Sequence, residues 1–230
     1  MIRDFEPTDA QTRSDEDLVA DDLRRKWNLQ CDRFPKSERR QGKTPDFRVY
    51  KNNQLVAYLE VKSSFDLMKY EYVGNGILES AQRGDPTYNR ISSAVERAVD
   101  QFDEVNPDCT VPNVMAIVNH DSSADHIDLC AVITGRIPCE SGEAFVGWRH
   151  ISEGRLRQRK LRIHLFIWCD YHDEVGAQIE EHGICRVVIH QAGSPRYRCN
   201  LHWNLGSEKC VMERLCATLD IDPKDIRPIA

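Results

Sequence analysis

The chain has 230 residues and a formal net charge of -6, with 40% hydrophobic and 30% charged residues, a composition typical of a globular protein. No apolar run reaches the ~18 residues of a membrane span, and the N-terminal segment MIRDFEPTDA has no apolar stretch of signal-peptide type. Nine cysteines without a small-domain disulfide framework favour reduced thiols. We therefore expect a cytoplasmic protein without a membrane segment.

Helix and strand patterns alternate through the first half of the chain. Ser14, followed by three acids, is a predicted N-cap for a helix that continues to Trp27. The patterns then predict a short strand at 28–34 and a hairpin of two strands at 47–50 and 55–62. A second helix at 89–105 and a buried strand at 111–119 follow. A strand, a helix and a strand in this order indicate a crossover with parallel pairing. The predicted fold class is α/β (α+β mixed), in the order helix-strand-strand-strand-helix-strand.

The second half has weaker patterns. They predict a helix over 127–133 that Gly135 stops, three strands, and a last helix capped by Ser207; the strands span 162–168, 184–190 and 196–203. No linker separates the two halves. We therefore predict a single domain, 1–230, with a core at about 14–120 and a C-terminal elaboration at about 121–230.

Charged residues interrupt the second strand of the hairpin. Glu60 and Lys62 are two residues apart and share one face of the strand, where burying them is costly without compensation. Asp46 joins that face only if it pairs with Glu60. A two-residue turn at 52–53 would pair Asp46 with Leu59 instead, whereas a three-residue loop or a β-bulge would restore the pairing.

Two carboxylates and an amine on one face suit phosphodiester hydrolysis. Asp46 and Glu60 can bind a hard divalent cation such as Mg²⁺ through their oxygen atoms. Lys62 can orient or deprotonate a water molecule, or neutralise charge that develops on a phosphate. The alternative is that Glu60 and Lys62 form an exposed pair on an edge strand, with a purely structural role.

The motif resembles that of the PD-(D/E)XK nuclease superfamily, which has the restriction-endonuclease-like fold. Here it reads Pro45-Asp46, thirteen residues, then Glu60-Val61-Lys62, and the predicted order of elements is that of the family. The resemblance covers about residues 15–119. It implies that Asp46, Glu60 and the Val61 backbone carbonyl bind Mg²⁺ (or Mn²⁺), and that Lys62 is the catalytic lysine.

Two more residues fit patterns of this superfamily. Many members have a glutamate on the first helix that reaches the metal site, and Glu16, followed by Ala20 and Leu23, matches that pattern. Some members have a glutamine on the helix after the motif, where this chain has Gln101. The resemblance therefore implies catalytic roles for Glu16 and Gln101.

Basic residues concentrate in two segments. Residues 24–43 hold eight basic residues against two acidic ones, and residues 149–162 hold six against one. Such segments form solvated surfaces or bind phosphates. In the second interpretation, the predicted nucleic-acid-binding residues are Arg39, Arg40, Lys43, Arg157, Arg159 and Lys160.

The resemblance implies a function for the whole chain. It implies a metal-dependent nuclease that hydrolyses nucleic-acid phosphodiester bonds in restriction, repair or anti-phage defence, with DNA favoured over RNA. We expect a homodimer or a partner protein chain, because no helicase, sensor or methylase segment accompanies the motif. The alternative is a catalytically inactive nuclease-like fold that serves as a binding or scaffolding module.

Other candidate ligands are cysteines and histidines. Three Cys/His pairs have zinc-like spacing: Cys169 with His172, His182 with Cys185, and Cys199 with His202. Because about one such pair is expected by chance, buried thiols and surface histidines are favoured over a structural zinc. His120 follows a buried strand, where it touches a substrate or, as we favour, caps the strand.

Overall fold

A computed structural model describes most of the chain. The described residues are 9–39, 43–65, 85–121, 124–138, 144–146, 156, 159–170, 175–179, 185–189, 198–204, 213, 215–218, 220 and 227–229. Residues 213 and 215–218 of the last predicted helix are helical. The predicted cap of that helix, Ser207, lies outside the described residues.

Helices and strands alternate along the chain. The helices are α1 (Asp9–Trp27), α2 (Lys36–Arg39), α3 (Asp85–Val105) and α4 (His126–Thr134), and a 3-10 turn spans Arg159–Arg162. The strands are β1 (Gln30–Arg33), β2 (Phe47–Lys51), β3 (Gln54–Ser64), β4 (Asn113–Asn119), β5 (Arg136–Pro138), β6 (Ala144–Val146), β7 (Leu165–Asp170), β8 (Val175–Ile179), β9 (Cys185–Ile189), β10 (Arg198–Asn204) and β11 (Arg227–Ile229). A bilayer-spanning helix is not found among the described residues.

The predicted order of the first half is confirmed, with shifted boundaries. The N-cap prediction was wrong, because α1 begins at Asp9 and Ser14 lies inside the helix. Residues 9–13 include alanine, glutamine and arginine, which are good helix formers and extend the helix past a residue that prefers caps. The polar loop predicted after Pro35 begins with the short helix α2. Gly135 ends α4 as predicted, with a left-handed φ of 72°.

Seven strands form one mixed sheet in the order β1-β2-β3-β4-β7-β10-β11. The central strands β3, β4 and β7 are parallel, and α3 makes the predicted crossover between β3 and β4. The strands on either side, β2 and β10, pair antiparallel to this centre. The fold is therefore a mixed α/β architecture, and both halves of the chain contribute strands to the same sheet.

Alternate residues of the central strands pack into two separate apolar layers. Every residue of β4 is buried; Val114 and Ala116 pack in the layer with α1, and Met115 and Ile117 in the layer with α3 and α4. The predicted apolar stripe of α3 is buried, as expected: Ile91, Ala94, Val95, Ala98 and Phe102. Helices therefore cover both faces of the sheet, and each residue of β3 faces one layer or the other.

Candidate active site

The hairpin of β2 and β3 has a two-residue turn. Asn52 and Asn53 have φ values of 51° and 63°, left-handed conformations that asparagine tolerates. This turn by itself would pair Asp46 with Leu59 and direct the acid to the wrong face of the sheet. Another irregularity is therefore needed to bring Asp46 and Glu60 together.

A β-bulge within the β2–β3 pairing supplies this irregularity. Past the bulge, Phe47 pairs with Leu59, so that the residue before Phe47, Asp46, comes opposite Glu60. The bulge is one of the two solutions that the sequence predicted. Bulges often re-aim side chains beside functional sites, and this one sets the face on which Asp46 acts.

Glu60 is a buried acid with an unsatisfied oxygen. Its exposure is 1%, and its Oε2 atom has no hydrogen-bond partner among the described residues. Because β3 lies between β2 and β4, the alternative of an exposed pair on an edge strand is wrong. A buried polar atom without a partner costs about 1–3 kcal/mol, which a bound cation or a proton would offset.

Asp46 is held at the start of β2 by hydrogen bonds to both its side chain and its backbone. Its Oδ2 atom accepts a hydrogen bond of 2.8 Å from the N–H of Val61, so a carboxylate takes the place of a strand partner there. Its backbone carbonyl accepts from the N–H of Phe34 at 3.3 Å and from Arg39 at 3.4 Å. The acid is therefore fixed beside β3 before the strand pairing begins.

Lys62 is oriented by two acceptors. Its Nζ atom donates to Glu60 Oε1 and, at 3.0 Å, to Gln101 Oε1. The amide of Gln101 in turn donates to the Thr44 carbonyl at 2.9 Å. The structure therefore brings four predicted catalytic residues together: Asp46, Glu60, Lys62 and Gln101.

Burial raises the pKa of both carboxyl groups. For Glu60, burial and then the neighbouring Asp46 charge raise the pKa to about 8. For Asp46, burial raises the pKa, while the Val61 N–H and the Lys62 charge oppose the rise. Both shifts favour the protonated carboxyl groups, so a cation that binds both carboxylates competes with a proton.

A cationic cavity of about 410 Å³ opens over these groups. Its lining residues are Arg39, Lys43, Thr44, Asp46, Lys62, Arg97 and Gln101. Sequence reasoning missed Arg97, although it lies four residues before Gln101 and therefore on the same face of α3. Arg39, Lys43, Lys62 and Arg97 thus lie around the half-buried Asp46, and such a lining can attract an anion.

The acids of α1 take positions that differ from the expected one. The predicted catalytic residue Glu16 contacts Arg33 on β1, and no hydrogen bond or ion pair joins it to Asp46 or Glu60 in the described part of the chain. Its neighbour Asp15 is the acid directed at β3, where it accepts from Ser63. Moving one residue along a helix turns the side chain by about 100°. Because residues 15–17 are all acidic, the sequence could not show which of them faces β3.

The predicted phosphate-binding residues divide into three groups. Arg39 and Lys43 line the cavity, and Arg159, the first residue of the 3-10 turn, contacts Asp100 on α3. Lys160 instead donates to the Ile133 carbonyl near the end of α4, and burial lowers its pKa. Arg40 and Arg157 lie outside the described residues.

The cysteine and histidine candidates lie in other parts of the fold. Cys169 is buried in the apolar layer beside α1, as the prediction of buried thiols requires. His172 and His182 lie outside the described residues, as do the side chains of the strand residues Cys185, Cys199 and His202. The Nε2 atom of His120 lies 2.9 Å from Asp15 Oδ2, and its ring stacks on Phe65. Its backbone N–H donates to the Ser64 carbonyl, so His120 holds the end of β4.

The donor set of the site is compatible with magnesium. Within the described residues, no group of three or more His, Cys, Asp or Glu side chains could hold a metal ion. Asp46 and Glu60 supply two carboxylates, and the Val61 carbonyl is the predicted third ligand. Mg²⁺ commonly binds through one or two carboxylates and keeps several waters, whereas zinc sites need three or four protein ligands. The unsatisfied Oε2 atom of Glu60 is the feature that such a cation would complete.

Comparisons with known proteins give no family for this chain, so the functional proposal rests on the geometry of the site. No protein-family model, no curated protein and no solved structure matches the chain.

Proposed function

We propose that this protein is a metal-dependent nuclease of the PD-(D/E)XK type. The observation that carries the proposal is the pairing of a buried, unsatisfied Glu60 with Asp46 beneath a cavity lined by basic side chains. The order of α1, β1, β2, β3, α3 and β4 supports it, because it is the helix-strand-strand-strand-helix-strand order of the restriction-endonuclease-like core. The predicted Lys62 and Gln101 lie in the same hydrogen-bonded cluster.

Asp46, Glu60 and the Val61 carbonyl would hold a divalent cation. When bound, Mg²⁺ or Mn²⁺ supplies a Lewis acid for the phosphate and lowers the pKa of a coordinated water. The bulge and the Val61 N–H bring Asp46 to the face of Glu60, which supports this role. Their raised pKa values fit a pair that is fully charged only when a cation is bound.

Lys62 would act on the phosphate or on the attacking water. Gln101 and Glu60 hold its amine beside the carboxylates, and Lys62 itself lines the cavity. A fixed ammonium stabilises negative charge that develops on phosphate oxygens, and this contributes most where water is excluded. Gln101 is therefore a positioning residue that acts through Lys62.

The basic lining of the cavity would bind the phosphate backbone. Arg39, Lys43 and Arg97 surround the acids, although the chain as a whole carries a net charge of -6. Contacts from basic residues to phosphates hold a nucleic acid in register without reading its sequence. A substrate with a negatively charged backbone is therefore favoured over a neutral or positively charged one.

The test is a cleavage assay on the purified full-length protein. Plasmid DNA, linear DNA and RNA are incubated with Mg²⁺, with Mn²⁺ or with EDTA, and the products are separated on gels. We expect cleavage of at least one substrate with Mg²⁺ or Mn²⁺ and none with EDTA, because the carboxylates alone do not activate water. Undiminished cleavage in EDTA, or binding without cleavage under every metal condition, would overturn the proposal; the second result favours the inactive binding module.

A further inference from the structure

One carboxylate on α3 joins the two basic segments of the chain. Asp100 Oδ2 lies 3.4 Å from Lys43 Nζ, and Asp100 Oδ1 contacts Arg159 Nη2. Lys43 belongs to the segment that leads into the site and lines the cavity, whereas Arg159 begins the 3-10 turn of the second half. Two segments that are more than a hundred residues apart in sequence therefore meet at a single acid, which contacts a residue that lines the cavity.

The contacts of Asp100 are exposed to solvent. The side chains of Lys43, Arg159 and Asp100 are 71%, 42% and 37% exposed to solvent. Arg159 is the main group that holds the pKa of Asp100 below its ordinary value, and Lys43 adds to this effect. Exposed ion pairs of this kind contribute little to folding stability. Their charges are therefore available for exchange with another anion.

The residues one turn before and one turn after Asp100 on α3 differ in their contacts. Arg97, one turn earlier, lines the cavity and makes no ion pair within the described residues. One turn later, Asp103 pairs with Arg162, which also donates to the Asn106 and Pro107 carbonyls. Arg162 is thus fixed by the protein backbone, whereas Lys43 and Arg159 are held mainly by Asp100.

We propose that Lys43, Arg97, Asp100 and Arg159 form a phosphate-exchange surface, in which Asp100 occupies the place that a backbone phosphate takes when substrate binds. The partner is the sugar–phosphate backbone of a nucleic acid, so the inference rests on the proposed function. Carboxylate and phosphate oxygens accept hydrogen bonds from the same ammonium and guanidinium donors. Asp100 keeps these donors ordered and lowers the affinity of the surface for anions. A backbone phosphate therefore reaches Lys43 and Arg159 by displacing Asp100.

The variant Asp100→Asn tests this surface directly. It removes the acid but keeps the shape of the side chain, and folding is checked by the melting temperature. Binding of a fluorescent DNA duplex and of a single strand is measured in EDTA, without cleavage, over a series of salt concentrations. The matched control is Asp21→Asn, which removes the same charge from an exposed pair with Arg24 on α1, in the layer on the opposite side of the sheet.

The expected result is a gain of affinity from the loss of an acid. At low salt, Asp100→Asn should bind about three- to tenfold more tightly than wild type, with a salt slope steeper by about one, since one more positive charge faces the phosphates. Asp21→Asn should leave both quantities near wild type. Adding Arg159→Ala to Asp100→Asn should return the affinity and the slope toward wild type.

Three other outcomes separate this inference from the proposed function. If wild type binds nucleic acid but Asp100→Asn binds no more tightly than Asp21→Asn, the exchange role of Asp100 is refuted while the nuclease proposal stands. A gain of affinity in a protein that never cleaves with Mg²⁺ or Mn²⁺ supports the surface and refutes the nuclease proposal. Absence of binding to either nucleic acid by wild type, in EDTA and with Ca²⁺, together with absence of cleavage with Mg²⁺ or Mn²⁺, refutes both.

Discussion

The two faces of β3 carry two polar clusters that differ in how completely their groups are paired. On the α3 face, Glu60 and Lys62 lie beside Asp46, and a buried oxygen of Glu60 has no hydrogen-bond partner in the part of the chain that the structure describes. On the α1 face, Ser63 donates to Asp15, and His120 contacts the same Asp15 oxygen at 2.9 Å. Both clusters contain a buried acid, and Asp46 and Lys62 of the first cluster line the cavity.

This difference distinguishes the candidate active site on the α3 face of β3 from the hydrogen-bonded cluster around Asp15 on its α1 face. Asp15 is 3% exposed, and its Oδ2 atom has hydrogen-bond partners in Ser63 and His120, as buried polar groups in stable proteins usually do. Glu60 is 1% exposed, and burial and the charge of Asp46 raise its pKa to about 8. Strongly shifted groups in clefts are candidates for function. Burial by itself therefore does not mark a candidate site, and the unsatisfied oxygen of Glu60 is the feature that does.

The largest expected effect comes from residues next to each other on opposite faces. Lys62→Ala should lower the cleavage rate by about a hundredfold or more, as loss of a charge stabiliser or general base implies, and should leave substrate binding intact. Ser63→Ala, on the α1 face, should retain nearly wild-type cleavage. Steady-state rates and binding in EDTA measure both. Equal losses in the two variants would contradict the division between the faces.

A smaller effect concerns the competition between protons and the cation. Because the proton on Glu60 must leave when a cation binds, the affinity for Mg²⁺ should rise with pH and level off above about 8. Glu60→Gln should bind Mg²⁺ weakly at every pH. Isothermal titration calorimetry from pH 6 to 9 measures both proteins. A wild-type affinity that does not change with pH would rule out Glu60 as a cation ligand.

The same shift predicts the sign of the stability change without metal. The folded protein holds the Glu60 proton up to about pH 8, whereas the unfolded chain releases it near the ordinary value of 4.5. The fold therefore binds more protons in this window, and its stability decreases as the pH rises across it. In EDTA, the melting temperature of wild type should fall relative to Glu60→Gln between pH 5 and 8, and added Mg²⁺ should oppose that fall.

The smallest effect is a pair of opposite shifts in melting temperature. Asp46→Asn keeps an oxygen for the Val61 N–H but removes the charge beside Glu60, so in EDTA it should melt at the wild-type temperature or above it. Asp15→Asn weakens the hydrogen bonds with Ser63 and His120, and it should melt about 2–4 °C lower. Calorimetry at neutral pH compares the two. A lower melting temperature for Asp46→Asn, with no change for Asp15→Asn, would reverse the roles of the two clusters.

Much of the first half could be predicted from local patterns. Amphipathic spacing located α3 because its apolar stripe follows the helical period, and the continuous apolar run located β4 because both faces of that strand are buried. Edges were less predictable: Ser14 looked like a cap, yet α1 continues past it. The small strands β5, β6, β8 and β11 were missed, because strands of three to five residues leave too short a pattern to distinguish from loops.

The site was predictable in composition and only partly in geometry. Residue spacing along one strand placed Glu60 and Lys62 on a common face, since side chains alternate with a period of two. The parity of the hairpin showed that a bulge or a longer loop was required, but it could not choose between them. Glu16 was expected at the site and contacts Arg33 instead, because the rotation of a helix depends on what it packs against.

What the sequence by itself determined is the set of local relations: which residues share a face, which segments form helices or strands, and that Asp46 needs an irregular hairpin to reach Glu60. These depend on backbone geometry that repeats over a few residues. Only the tertiary structure decided the bulge, the place of Arg97 in the cavity and the meeting of Lys43 and Arg159 at Asp100. Such contacts join distant segments, and their partners are chosen by the packing of whole layers, which no local pattern records.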